Sequence, residues 1–163
     1  MNSEPEIVEL PDRPYAGIPA SVTLATLDAV LPPLVPEVAG WLAARGTSPA
    51  GPPFWRYTMI DMYRLMEVQV GFPVAPGAVD AGDERVLTGV LPAGRYATLR
   101  HVGHPETVID GHRALQDWAK ALNLTWDVDG NNWGCRLEIL LTDPASQPDM
   151  TKWETDISYR LAD

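Results

Sequence analysis

The chain has 163 residues, enough for one domain with a real core or two small fused modules. Apolar residues make up 45% and charged residues 21%, a globular balance that excludes disorder over most of the length. The formal net charge of −10 argues against a nucleic-acid partner, since a phosphate backbone would be repelled and no Lys/Arg cluster offsets this. The same surface would draw in cationic small molecules. Cys135 is the only cysteine, so no internal disulfide can form and a cytoplasmic setting is expected. The opening MNSEPEIVEL has neither the basic nor the apolar region of a signal peptide. No apolar run approaches the roughly 18 residues of a membrane span. The expectation is a soluble protein without a membrane partner.

Ile7–Leu10 and Tyr15–Ile18 read as short strands, and Pro11 and Pro14 beside them predict an edge or bulged strand. Thr23 or Thr26 can cap a following helix, whose apolar residues recur at three- and four-residue steps from Leu27 through Leu31, Leu34 and Val38 to Leu42. Pro32, Pro33 and Pro36 predict a kink or restart, and Gly46 a stop. Phe54–Ile60 and Tyr63–Val74 read as an antiparallel hairpin joined tightly at Asp61-Met62. Residues 75–84 are small, polar and unpatterned, a linker.

The pattern then starts again. Arg85–Val102 is strand-rich, and His104-Pro105-Glu106 opens a helix. Its apolar stripe is Val108, Leu115, Trp118, Ala119 and Leu122, and Asn123 is its left-handed terminator. A turn within Asp127–Gly134 leads to a strand at Arg136–Thr142, closed by Asp143-Pro144, and Trp153–Leu161 is the last strand. Leu10-Pro11-x-x-x-Tyr15-Ala16 recurs as Leu91-Pro92-x-x-x-Tyr96-Ala97. The economical reading is an α+β fold: one domain over 1–163, built as tandem β-α-β-β modules at 5–74 and 85–162 around the linker. The modules are expected to share an antiparallel sheet, with both helices on one side and a ligand cleft at the pseudo-twofold junction.

Glu138 stands inside the apolar run Leu137-Glu138-Ile139-Leu140-Leu141. A strand this apolar is covered on both faces, and a glutamate there needs a partner. Either Arg136 or Arg56 pairs with it, or it waits for a ligand. Unpaired, it could bind a cation or serve as general acid or base. Trp41 and Trp118 fall on helix stripes and read as core, and Trp126 as an anchor. Trp55, Trp133 and Trp153 flank the expected cleft, where they either pack the sheet or form an aromatic cage for flat cations. Tyr57, Tyr63, Phe72 and Tyr96 could complete it, with Met66 as an adaptable wall. His101, His104 and His112 show no metal spacing and read as surface or capping residues. No metal or cofactor is expected, and Asp127–Asn132 reads as a plain hairpin turn rather than a calcium loop.

The second half, through Leu91-Pro92-Ala93-Gly94-Arg95-Tyr96-Ala97, His101-Val102-Gly103, Leu137-Glu138-Ile139 and Thr142-Asp143-Pro144, resembles the GyrI-like small-molecule-binding family. Gly71-Phe72-Pro73-Val74 is similar to the family's first-module ending. The resemblance runs from about Ile7 to Leu161. It implies two SHS2-type modules, related to the SOUL haem-binding fold. It also implies an aromatic pocket whose glutamate, at the position of Glu138, attracts cationic aromatic compounds. The family includes effector-binding domains of multidrug-responsive bacterial regulators. It also includes stand-alone hydrolases of cyclopropane-bearing DNA-alkylating antibiotics, in which case Glu138 would be catalytic. Two departures stand out: Leu140 where the family often has Tyr, and Gly103-His104-Pro105 where it often has Gly-Pro-Tyr. The chain starts directly on its first strand, without a helix-turn-helix, so a stand-alone binding protein is expected ahead of a DNA-binding regulator.

Overall fold

In the computed structural model the described residues are 1–61 and 64–163; Met62 of the expected turn and the cage candidate Tyr63 lie outside them. The first half contains β1 (Glu6–Leu10), β2 (Arg13–Val22), α1 (Leu27–Val30), α2 (Leu34–Ala43), β3 (Phe54–Ile60) and β4 (Met66–Pro73). The second contains β5 (Leu87–Leu91), β6 (Gly94–Val102), α3 (Val108–Ala121), a small hairpin of β7 (Val128–Asp129) and β8 (Asn132–Trp133), β9 (Arg136–Leu140) and β10 (Glu154–Arg160). The chain breaks between α1 and α2 at Leu31–Pro33, where prolines remove helix donors. Asn123 adopts φ 57° just past α3, a left-handed ending.

One curled antiparallel sheet runs in the order β1-β6-β10-β9-β3-β4-β2-β5. Exchanging β1 with β5, β2 with β6, β3 with β9 and β4 with β10 gives the same order read backwards, and the centre falls between β9 and β3. The first strand of each half lies against the other half: β1 pairs with β6, and β5 with β2. This corrects the expectation for the proline-bearing strand. β2 is not an edge, since it lies between β4 and β5. Its prolines are tolerated because Pro19 lies beyond the last β5 partner, Gly17↔Leu87, and Pro14 lies before the β4 ladder begins at Tyr15.

Both helical segments cover the same face of the sheet. Leu31, Leu34, Val38 and Leu42 pack on Ile18, Val68, Val70 and Phe72, while Leu115 packs on Leu99, Ile157 and Tyr159. Each such fully buried aliphatic side chain contributes about 1.5–3 kcal/mol. The opposite face closes on itself around Tyr15, Phe54, Leu91, Tyr96 and Leu137, joined by Val8 and Leu10 of β1. The segment 75–84 is tied to α2: Trp41 Nε1–H donates to Asp83 (2.8 Å), whose other oxygen accepts from the Arg85 and Val86 backbone. The Trp41 bond, then the backbone bonds, hold the exposed Asp83 carboxyl down at about 2. Trp41 and Trp118 are half-buried and pack against the core clusters under α2 and α3, while Leu122, expected on the α3 stripe, is exposed.

Candidate functional site

Cross-strand partners share a sheet face. The pairings Ile18↔Val70, Val70↔Trp55, Trp55↔Glu138, Glu138↔Ile157 and Ile157↔Leu99 therefore make one row across the helix-covered face. Glu138 sits at its middle, on the β3–β9 seam between α2 and α3. The residue is 9% exposed.

Neither arginine considered from the sequence pairs with it. His112 reaches down from α3, and its Nε2 lies 2.6 Å from Glu138 Oε1. Tyr57 donates its O–H to the same oxygen at 3.3 Å. Oε2 has no protein partner among the described residues, and the side chain keeps 11% exposure. With Nε2 donating, His112 Nδ1 accepts from Tyr159 O–H, and Gln116 donates to that hydroxyl at 3.3 Å. Burial, then the charge of Glu138, pushes the Tyr57 hydroxyl well above its ordinary range; burial takes Tyr159 to about 12. Both phenols therefore stay protonated as donors.

An aromatic group adjoins this cluster. Trp133 and Tyr159 lie 5.3 Å apart edge to face, and Trp126 stands 5.1 Å from Tyr159. The guanidinium of Arg136 already lies over two of these rings, 4.5 Å from Tyr159 and 4.7 Å from Trp133. Cation–π contact explains why Arg136 turns to the rings and not to Glu138 two residues away. Arg136 Nε and Trp55 Nε1 are buried donors without an acceptor.

Of the candidates from the sequence, Trp55, Tyr57, Trp133 and Glu138 are brought together. Tyr96 is not: strand alternation puts Ala97 and Leu99 under α3 and turns Tyr96 to the opposite face, where its O–H donates to Pro92 O at 2.6 Å. Trp153 stands before β10 and pins the β9–β10 connection, Nε1 donating to Gln147 O at 2.7 Å. Met66 and Phe72 face the helices but belong to the core under α2. Met66 pairs with Val22 and Ile60, far along the ladder from Trp55, and Phe72 pairs with Ala16. Sequence reasoning missed His112 and Tyr159. His101 and His104 are structural: His101 bridges Asn2 and Thr107, and His104 caps the turn at Glu106. His112 differs, and its signal was its place between Val108 and Leu115 on the α3 stripe. Among the described residues no three His, Cys, Asp or Glu side chains are arranged to hold a metal ion.

The fold is a two-layer α+β sheet with a carboxylate and aromatic rings at its central seam. The family model for the GyrI-like small molecule binding domain matches residues 3–162, and the chain belongs to that family. A search among curated proteins gave no match. Similar solved structures include the EcmrR–DNA complex, at 17% identity over 97% of this chain and a TM-score of 0.78; this chain spans 57% of EcmrR. They also include a hydrolase from Listeria innocua, at 13% identity over 98% of this chain and 92% of that one, TM-score 0.65. A third is SAV2435 bound to tetraphenylphosphonium, at 10% identity over 98% and 94%, TM-score 0.68. At these identities the likeness is one of fold. Among the described residues no helix is long and apolar enough to cross a membrane.

Proposed function

We propose that the chain captures hydrophobic aromatic cations in the cytoplasm, on the helix-covered face, with Glu138 Oε2 as their counter-charge. The observation that carries this reading is the free Oε2 of a nearly buried carboxylate whose other oxygen is held by His112 and Tyr57. Trp55 and Trp133, both half-buried, supply flat apolar surface beside it, and the orphan Trp55 Nε1 is a donor for a ligand acceptor. The tetraphenylphosphonium held by SAV2435 is a cation of this kind. The net charge of −10 favours such ligands and disfavours nucleic acid as a partner of these residues. The test is fluorescence anisotropy of a cationic xanthene dye titrated with wild type and Glu138→Gln. Micromolar binding that weakens about tenfold in the variant, some 1.4 kcal/mol, is expected. Equal affinities would demote Glu138 to an internal hydrogen-bonding residue.

A second reading, hydrolysis of a strained electrophilic ring such as a cyclopropane fused to a dienone, is favoured by the Glu138–His112–Tyr159 chain of hydrogen bonds. Glu138 would accept a proton from water as its oxygen bonds to the ring carbon. The proton would then pass to the dienone oxygen as the ring opens. Turnover should fall at least about a hundredfold in Glu138→Gln; unchanged turnover would end this reading.

A further inference from the structure

At the two ends of the strand order stand β1 and β5, and the sequence repeat makes them counterparts: β1 runs into Leu10-Pro11 as β5 runs into Leu91-Pro92. Each is paired on one side only, β1 with β6 and β5 with β2. Backbone groups on the open side of such a strand are a template for another chain. The hydrogen-bonding phase identifies them. Pro14, opposite Val90, has no N–H, and its carbonyl accepts from Val74 N–H (2.9 Å) on the β4 side. Pro14 and Val90 are therefore a non-hydrogen-bonded pair, and by alternation so are Ala16 and Thr88. The N–H and C=O of Thr88 and Val90 point away from the sheet, and among the described residues no partner meets them. On β1, Arg95 O accepts from Leu161 N–H (2.8 Å) on the β10 side, so its neighbour Glu9 turns its backbone outward, as does Ile7.

The two edges differ in what they carry. Counted from the shared Leu-Pro, Glu9 of β1 corresponds to Val90 and Glu6 to Leu87, and Pro5 before β1 supplies no donor. Charges and proline are what keep an edge from pairing. β5 reads Leu87-Thr88-Gly89-Val90-Leu91, with no charge, and Val90 is 48% exposed. Its pattern is also self-complementary. About a two-fold axis through Gly89, Thr88 comes opposite Val90 of a second copy, and Leu87 opposite Leu91 of that copy. Each Thr88–Val90 pair then exchanges both its hydrogen bonds, while Gly89 meets Gly89 at the close approach of about 4.5 Å between Cα atoms. The side chains set opposite one another are β-branched or aliphatic, which suit a strand pair. Pairing of β5 with β1 of another copy would meet Glu9 and, repeated head to tail, would not close.

We infer that β5 is the contact of a homodimer, formed by antiparallel pairing with β5 of a second copy about Gly89. A strand of five residues covers far less than the roughly 800 Å² per partner of a standard interface, so the dimer is weak. Each copy carries a net charge of −10 while β5 carries none, so the copies repel at long range and salt strengthens their association. β2, β4 and β3 lie between β5 and β9, so the contact leaves Glu138 of either copy uncovered.

The test is sedimentation equilibrium of the full chain from about 10 µM to 1 mM, in about 50 and 500 mM sodium chloride. A monomer–dimer equilibrium with a Kd of about 100 µM is expected at the higher salt, weakened at least about threefold at the lower. Val90→Pro removes an outward N–H that the β2 ladder does not use. Val90→Glu gives β5 the charge that β1 carries. Each should weaken the dimer at least about tenfold and leave the thermal midpoint within a few degrees of wild type, whereas Glu9→Gln should change the Kd less than about twofold. In proton–nitrogen correlation spectra over the same concentrations, the Thr88, Gly89 and Val90 amides should shift. A monomer throughout, association beyond a dimer, a dimer that salt weakens, a Kd that both Val90 variants leave unchanged, or concentration-dependent shifts confined to β1 would each overturn the proposal.

Discussion

A carboxylate at the middle of a sheet is tolerated only where hydrogen bonds replace the water it has lost. Glu138 receives two, both on Oε1, and charge-assisted bonds of this kind are worth about 1.5–3 kcal/mol each. Arg136 stays close without pairing because two aromatic faces hold it. In the proposed site it is therefore a like charge that a cationic ligand must tolerate. At an effective dielectric of about 20, two cations some 8 Å apart repel by about 2 kcal/mol, less with solvent between them. Arg136→Met keeps the side-chain volume and removes the charge, so it should tighten the dye about five- to tenfold by anisotropy. Unchanged affinity would place the ligand away from these rings. His101 supplies a prediction of another kind. Burial, then the nearby N-terminal ammonium, holds it below the ordinary histidine range. Its neutral form is the folded one, so its contribution is complete above the unfolded value of about 6.5 and declines as pH falls through it. Urea midpoints should drop between pH 7.5 and 5.5, and drop less in His101→Gln; parallel losses would show that other groups govern acid sensitivity.

At the scale of elements, α3 decides whether His112 can reach Glu138. Gly111, one residue earlier, lets the helix lie close: a Cβ there would stand 2.6 Å from Ile157 Cδ1 and 3.3 Å from His101 Cβ. Gly111→Val should lift the helix, destabilise by about 1–3 kcal/mol and lower the thermal midpoint by several degrees. An unchanged midpoint would mean that Ile157 simply rotates away. Most elements were legible in the sequence because local chemistry sets them. Proline broke the first helix, Asn123 ended α3, and the apolar run of β9 announced a strand with Glu138 inside it. What could not be read was long-range. The pairing of β5 with β2 buried a strand that its prolines marked as an edge. Tyr96 and Tyr57 look alike in sequence, but register alone sends one to each face. His112 read as a surface or capping residue, since nothing local says that a helix 26 residues before Glu138 will fold over it.

Across the whole molecule, the strand order is symmetric about the β3–β9 seam, as a tandem duplication would leave it, and Glu138 stands on that seam. A seam between two halves is where packing is least determined by either half, which is why clefts at such junctions hold ligands. The measurement that tests the central claim most directly is the indole N–H region of a proton–nitrogen correlation spectrum while tetraphenylphosphonium is added. The chain has six tryptophans, and their positions separate the alternatives. Trp55, paired with Glu138, and Trp133, on Tyr159, should shift as the cation binds. Trp41 and Trp153, bonded to Asp83 and to Gln147 O away from the seam, should stay where they are. Saturable shifts confined to Trp41 or Trp153, or binding with Trp55 and Trp133 unmoved, would contradict the account.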